Sequence, residues 1–143
     1  MPHYLFEWSV LRRGAASAVW IAVGGLDETV RVLRPEVLTF DPEEDLAPFE
    51  AEIGVDQARD LARAWLRAAV GPAPKIPPTP ESVEVVGYPF WIYYFLRFGR
   101  RIDLRILDAL TGRPVGSKVA AGFLRGLERS PQSGRCTPKG ADL

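Results

Sequence analysis

Few side chains in this 143-residue sequence are of types that do chemistry, and they are scattered along it. His3 is the only histidine and Cys136 the only cysteine. One of each cannot build a Cys/His zinc site, and a lone Cys cannot close an internal disulfide. His3 lies near a chain end, where an exposed terminal residue is expected rather than a general base. Cys136 falls in a Pro-, Ser- and Gly-bearing tail without fixed neighbours to lower its thiol pKa, so no catalytic role is expected. Carboxylates gather at Asp41, Glu43, Glu44, Asp45, Glu50 and Glu52. Such a cluster could hold Ca²⁺ or Mg²⁺. Its spacing is not that of an EF-hand loop, however, and Pro42 and Pro48 interrupt it, so it reads as a solvated connector. Gly24-Gly25 is turn chemistry, and neither a P-loop nor a dinucleotide fingerprint is present. Nothing selects a carboxylate pair for acid–base work. The expectation is a non-catalytic chain with no cofactor and no bound metal.

The densest unusual pattern lies further on. Seven of the eleven residues 88–98 are aromatic: Tyr88, Phe90, Trp91, Tyr93, Tyr94, Phe95 and Phe98. Arg101, Asp103 and Arg105 then alternate with Ile102, Leu104 and Ile106. Gly99-Arg100 between them fits a two-residue hairpin turn with glycine first. That register sets Phe98 opposite Arg101, Leu96 opposite Asp103, Phe95 opposite Leu104, Tyr94 opposite Arg105 and Tyr93 opposite Ile106. Side chains alternate between faces. Trp91, Tyr93, Phe95, Leu104 and Ile106 would form a dry face that receives a helix. Ile92, Tyr94, Leu96, Phe98, Arg101, Asp103 and Arg105 would form a mixed face, with cation–π pairs of about 0.5–1 kcal/mol each where exposed. Tyr94, Leu96, Phe98, Arg101 and Arg105 are therefore the candidate interaction surface. Protein interfaces and single-strand nucleic-acid platforms both use such mixtures. A three-residue loop would instead slip the register by one and exchange the two faces.

The elements that must position this ribbon are legible in outline. Residues 4–11, 17–23 and 28–33 read as strands of an antiparallel meander, with turns at 12–15 and 24–27. In the third, Val30 and Val32 share one face, Arg31 and Leu33 the other. Val55–Val70 is the clearest helix. Val55, Ala58, Leu61, Ala62, Trp65, Leu66, Ala69 and Val70 make its apolar stripe, and Trp65 reads as a core anchor. Gly71-Pro72 stops it. Five prolines in 72–80 make a stiff, extended linker. Residues 82–98 read as a long extended stretch broken or bulged at Gly87 and Pro89. Asp108 to Gly112 reads as a tight turn, with Asp108 accepting backbone N–H groups. A last helix is expected from Ser117, as N-cap, to about Glu128. Gly122 and Gly126 lower its intrinsic helicity.

The fold class expected is α+β: an antiparallel sheet with one long amphipathic helix packed on a face, an N-terminal β-meander and a short C-terminal helix. One domain would span residues 1–129, with the meander at 1–40, the helix at 55–70, the linker at 71–81, the hairpin at 82–108 and the second helix at 117–128. Residues 130–143 are expected to be a disordered tail. Apolar residues at 47% suffice for a core and exclude global disorder. No apolar run is long enough to span a membrane as a helix, and the first residues lack the pattern of a secretory signal. A cytoplasmic location is expected, with the thiol reduced. The absence of Asn, and Arg outnumbering Lys 15 to 3, suits either heat adaptation or a genome rich in G and C.

The order of helix, linker, aromatic strand, alternating strand and Asp-x-x-Thr-Gly turn resembles the PepSY module. The matching segments are Val55–Val70, residues 93–98, residues 102–106, and Asp108-Ala109-Leu110-Thr111-Gly112, about 60 residues in all. The resemblance implies an inhibitory or regulatory binding role without catalytic residues. The leading expectation is thus a module that contacts another protein chain or a second copy of itself. One alternative is a single-stranded nucleic-acid platform. Residues 97–129 carry eight bases against three acids, although the whole chain is neutral and residues 27–60 carry eleven acids against three bases. The other alternative is a small-ligand pocket between sheet and helix, lined by Trp65 and Trp91.

Overall fold

The computed structural model describes residues 1–38, 49–72 and 74–130, with Ile102 described in its backbone alone. The fold is α+β. Strands β1 (Pro2–Arg12), β2 (Ala15–Gly24) and β3 (Val30–Leu33) form the meander, and a short 3-10 turn follows at Pro35–Val37. Helix α1 (Val55–Val70) comes next, then β4 (Ser82–Gly87), β5 (Phe90–Arg97), β6 (Arg101–Asp108) and α2 (Ser117–Arg129). The first four strands make one antiparallel sheet in the order β3-β2-β1-β4, and β5 and β6 make a separate two-stranded ribbon. The stretch expected to run from 82 to 98 therefore divides between two sheets. Tyr88 and Pro89 lie at the break; Pro89 has no N–H to continue a ladder.

β1 is an inner strand, between β2 and β4, and its two sides face two different cores. Phe6, Trp8 and Val10 join Ile21 and Val23 under Ala58, Ala62 and Leu66 of α1. The two alanines let the helix backbone approach the sheet closely. Leu5 and Ala22 face the other way and meet Leu33 and Tyr88, with Trp20, Val86 and Phe90 at the margin. This corrects the expected layering: α1 packs on the N-terminal sheet, not on the hairpin, because the tall apolar side chains of β1 and β2 supply the larger dry face. The stripe that α1 buries is also narrower than its eight apolar positions. Val55, Ala69 and Trp65 are exposed, Trp65 by 38%. Val55 and Ala69 sit at the helix ends. Trp65 lies on the flank of the Ala58–Ala62–Leu66 line, so it is not the core anchor expected.

The proline-rich segment runs beside β1 and pairs with it at residues that still carry an N–H. Lys75 and Leu11 exchange two backbone bonds of 3.3 Å, and the Glu81 amide donates to the Glu7 carbonyl at 2.7 Å. The prolines between them shield the sheet edge without extending it. Helix α2 lies across the β2–β3 loop. A Cβ at Gly122 would sit 2.9 Å from the Leu26 carbonyl oxygen, and one at Gly126 would sit 3.0 Å from Leu26 Cδ1. Gly122 is thus needed for close approach to backbone, whatever helicity it costs, and Gly126 faces the Leu26 and Phe49 side chains at tight contact. Arg125 donates to the Leu26 carbonyl at 2.7 Å, and Arg125 and Arg129 both pair with Glu52. Gly116 is the N-cap, and Ser117 is the first helical residue rather than the cap. Among the described residues no helix is long and apolar enough to cross a membrane. Cys136, Asp41, Glu43, Glu44, Asp45 and the expected tail from 131 onward lie outside the described residues.

Candidate functional site

The β5–β6 ribbon is eight residues long on each side, about 26 Å at strand rise. Residue pairs run from Phe90 opposite Asp108 to Arg97 opposite Arg101, leaving the three-residue connection Phe98-Gly99-Arg100. The loop turns through two left-handed residues, Phe98 at φ 54° and Gly99 at φ 67°. This overturns the two-residue turn expected at Gly99-Arg100 and slips the register by one. Both predicted faces change as a result. One face now carries Phe90, Ile92, Tyr94, Leu96, Leu104 and Ile106, with Asp108 at its root. The other carries Trp91, Tyr93, Phe95, Arg97, Arg101, Asp103 and Arg105, with Leu107 at its root.

The five candidate residues thus do not share a face. Tyr94 and Leu96 stand on the aliphatic side, Arg101 and Arg105 on the aromatic–basic side, and Phe98 at the tip. All five are exposed. Exposure rises along the ribbon, from Ile106 at 5% near the root to Leu96 at 68% and Phe98 at 89%. Cation–π contacts form, but with other pairings than expected: Arg105 lies 5.7 Å from the Phe95 ring centroid and Arg97 5.6 Å from that of Phe98. The Trp65–Trp91 pocket is not formed. Trp65 rides on α1, on the Phe6 side of the sheet, whereas the ribbon is rooted on the Leu5 side, so the sheet separates them.

The ribbon root is pinned by a buried polar cluster that sequence reasoning missed. His3 is 1% exposed and Asp27 2%, so His3 is not the free terminal residue expected. Being on an inner strand, His3 is covered on one side by the Tyr88 ring, stacked at 4.7 Å between centroids. Arg31 Nη1 donates to His3 Nε2 at 3.0 Å, which leaves Nδ1 carrying the proton and donating to the Met1 carbonyl at 3.1 Å. The Arg31 guanidinium also lies 3.8 Å from Asp27 Oδ2 and 3.8 Å from Asp108 Oδ2. It packs 4.8 Å from the Tyr88 ring centroid and 5.5 Å from that of Phe90. Tyr88 Oη donates to Asp108 Oδ2 at 2.9 Å. Asp108 Oδ1 accepts the Leu110 and Thr111 amides at 2.9 and 3.1 Å, as the Asp-x-x-Thr-Gly turn predicts.

Burial, and then the Arg31 charge, push the His3 imidazole down to about 4 against the opposing pull of Met1 and Asp27. Burial, and then the bond to Asp108, hold the Tyr88 phenol well above its usual range. Both groups are therefore neutral near pH 7. The cluster is enclosed and its charges are paired, so its chemistry is positional: it ties β1, β3, the β4–β5 junction and the end of β6 together. Residues 113–115 strap the same root, with the Asp108 amide donating to the Arg113 carbonyl at 2.9 Å and the Val115 amide to the Ile106 carbonyl at 3.1 Å. A signal for His3 did exist. Tyr4-Leu5-Phe6 is apolar on both faces, the mark of a strand covered on both sides.

Elsewhere, a cavity of about 300 Å³ lies between the 49–51 segment and the end of α2, lined by Leu26, Phe49, Ala51, Gly126 and Arg129 among others. Among the described residues no group of three or more His, Cys, Asp or Glu side chains is placed to hold a metal ion. Comparison with protein-family models, with curated proteins and with solved structures finds no match.

Proposed function

We propose that the chain is a non-catalytic binding module that works by protein–protein contact through the β5–β6 ribbon, with a second copy of itself as the partner. The observation that carries this reading is an aliphatic face that ends in solvent. Tyr94 and Leu96 are both more than 60% exposed toward the far end of a ribbon that forms a two-stranded sheet of its own. A two-stranded ribbon gains little stability alone in water and keeps open strand edges. Burying a large apolar side chain contributes roughly 1.5–3 kcal/mol, so a symmetric contact through Tyr94 and Leu96 of each copy offsets a substantial part of the cost of association. The face carries no charge beyond its root, so two copies meet there without repulsion. The opposite face would bring Arg97, Arg101 and Arg105 of both copies together. A two-fold contact of one face with itself is the commonest oligomer arrangement.

A regulatory contact of this kind also fits what the PepSY resemblance implies. Light scattering over a range of concentrations tests the reading. The parent is expected to approach dimer mass at high concentration, and Leu96→Glu is expected to stay at monomer mass. A parent that remains monomeric, or a dimer indifferent to Leu96→Glu, would remove the proposal.

A further inference from the structure

The side of the ribbon that the dimer reading leaves outward has a chemistry of its own. Trp91, Tyr93 and Phe95 alternate along β5 and point the same way, all exposed. Their attachment points are about 7 Å apart along the strand, a step that the bases of an extended single strand can follow. On β6, Arg105 lies opposite Tyr93 and Arg101 lies opposite Arg97. Arg100 adds a fourth guanidinium at the tip. Asp103, opposite Phe95, is the one carboxylate of this face, and it pairs with Arg97 at 3.6 Å. Among the described residues Arg100, Arg101 and Arg105 have no carboxylate partner.

We infer that this face, Trp91-Tyr93-Phe95 backed by Arg101 and Arg105, binds single-stranded nucleic acid. Flat rings in a row stack bases without reading their sequence, and a line of unpaired cations follows the phosphates. Arginine close to a ring, as Arg105 is to Phe95, serves both tasks at once. The chain as a whole has equal numbers of acids and bases, so the attraction is local to the ribbon. A duplex keeps its bases stacked inside and leaves the rings unused. An acidic peptide would satisfy the arginines but supplies no flat partners for three aligned rings. The inference goes beyond the dimer reading and uses the opposite side of the same ribbon.

Fluorescence anisotropy of a labelled oligothymidylate, short enough for one ribbon, titrated with the full chain at low salt, tests it. Binding is expected, with log K falling against log salt at a slope near −2, for about three phosphates neutralised on a single strand. Trp91→Ala or Phe95→Ala is expected to weaken binding by about tenfold or more, and the pair Arg101→Glu, Arg105→Glu to abolish it. Trp91→Phe, which keeps a ring, is expected to retain most of the affinity. Circular dichroism of each variant checks that the fold is intact; these side chains touch no core. No binding, binding without a salt slope, or displacement of the oligonucleotide by polyglutamate as readily as by unlabelled oligothymidylate would overturn the inference. Leu96→Ser, on the other face, is expected to leave oligonucleotide affinity unchanged, and Trp91→Ala to leave dimer mass unchanged. The two readings therefore fail separately.

Discussion

Acidification is expected to loosen the ribbon root through His3. The imidazole accepts a hydrogen bond from Arg31 at Nε2 and donates from Nδ1 to the Met1 carbonyl. Protonation would set a second N–H, and a second positive charge, against the Arg31 guanidinium. Burial is the larger cause, disfavouring the charged ring, and the Arg31 charge adds to it, while the Met1 carbonyl and Asp27 oppose both. The Tyr88 ring stacks on the imidazole and the Phe90 ring lies further off at 6.3 Å. In the unfolded chain His3 takes up its proton near 6.5, whereas in the fold it resists until about 4. The unfolded state thus binds more protons across that window, and the fold loses stability as pH falls through it. The contribution is complete above about 6.5 and has gone below about 4. The difference corresponds to roughly 3 kcal/mol. Urea unfolding of the parent and of His3→Gln, repeated across the window, isolates this contribution, because glutamine keeps a donor and an acceptor but does not titrate. The stability gap between the two proteins is expected to change by about that amount from one end of the window to the other. NMR reads the same quantity directly, since the chain has one histidine and its imidazole resonance is unambiguous. A His3 pKa near 6.5, or equal pH slopes for parent and variant, would show that the fold does not hold this imidazole neutral.

Other substitutions probe the same architecture. Tyr88→Phe removes the 2.9 Å bond to Asp108 and is expected to cost about 1.5–3 kcal/mol in denaturant unfolding, because the acceptor is charged; a cost below about 0.5 kcal/mol would show that Asp108 does not depend on it. Gly122→Ala normally gains about 1 kcal/mol in a helix. Here its Cβ would meet the Leu26 carbonyl at 2.9 Å, so a net loss of stability is expected, and a gain would contradict the close docking of α2. Leu96→Glu, at an exposed site, is expected to change monomer stability by less than about 0.5 kcal/mol, so that its effect on association is not an effect on folding.

The local patterns carried most of the fold. The alternation in 101–107, the three-and-four spacing of α1 and the Asp108 turn are all short-range signals, and each produced the element it suggested. The candidate surface was less legible, because one residue of register decides it. Phe98 takes a left-handed φ of 54°, which a bulky side chain rarely adopts. Glycine at 99 therefore drew the turn one position late, and the faces exchanged. The pinning cluster depends on longer reach still: His3 meets Arg31 and Tyr88, and through them Asp108, only because the sheet brings β3 and the end of β4 to β1. No local pattern encodes that adjacency. Trp65 shows a third limit, since periodicity gives the apolar side of a helix but not how wide a strip the sheet can cover.

Self-association through the aliphatic face is read out by an isotope-filtered NOE experiment on a mixture of labelled and unlabelled chain at high concentration. Contacts between copies are expected from the Tyr94 ring to the Leu96 and Leu104 methyl groups, and none are expected from Trp91 or Phe95. Absence of any contact between copies, or contacts that involve the Trp91 face instead, would contradict the proposed use of this ribbon.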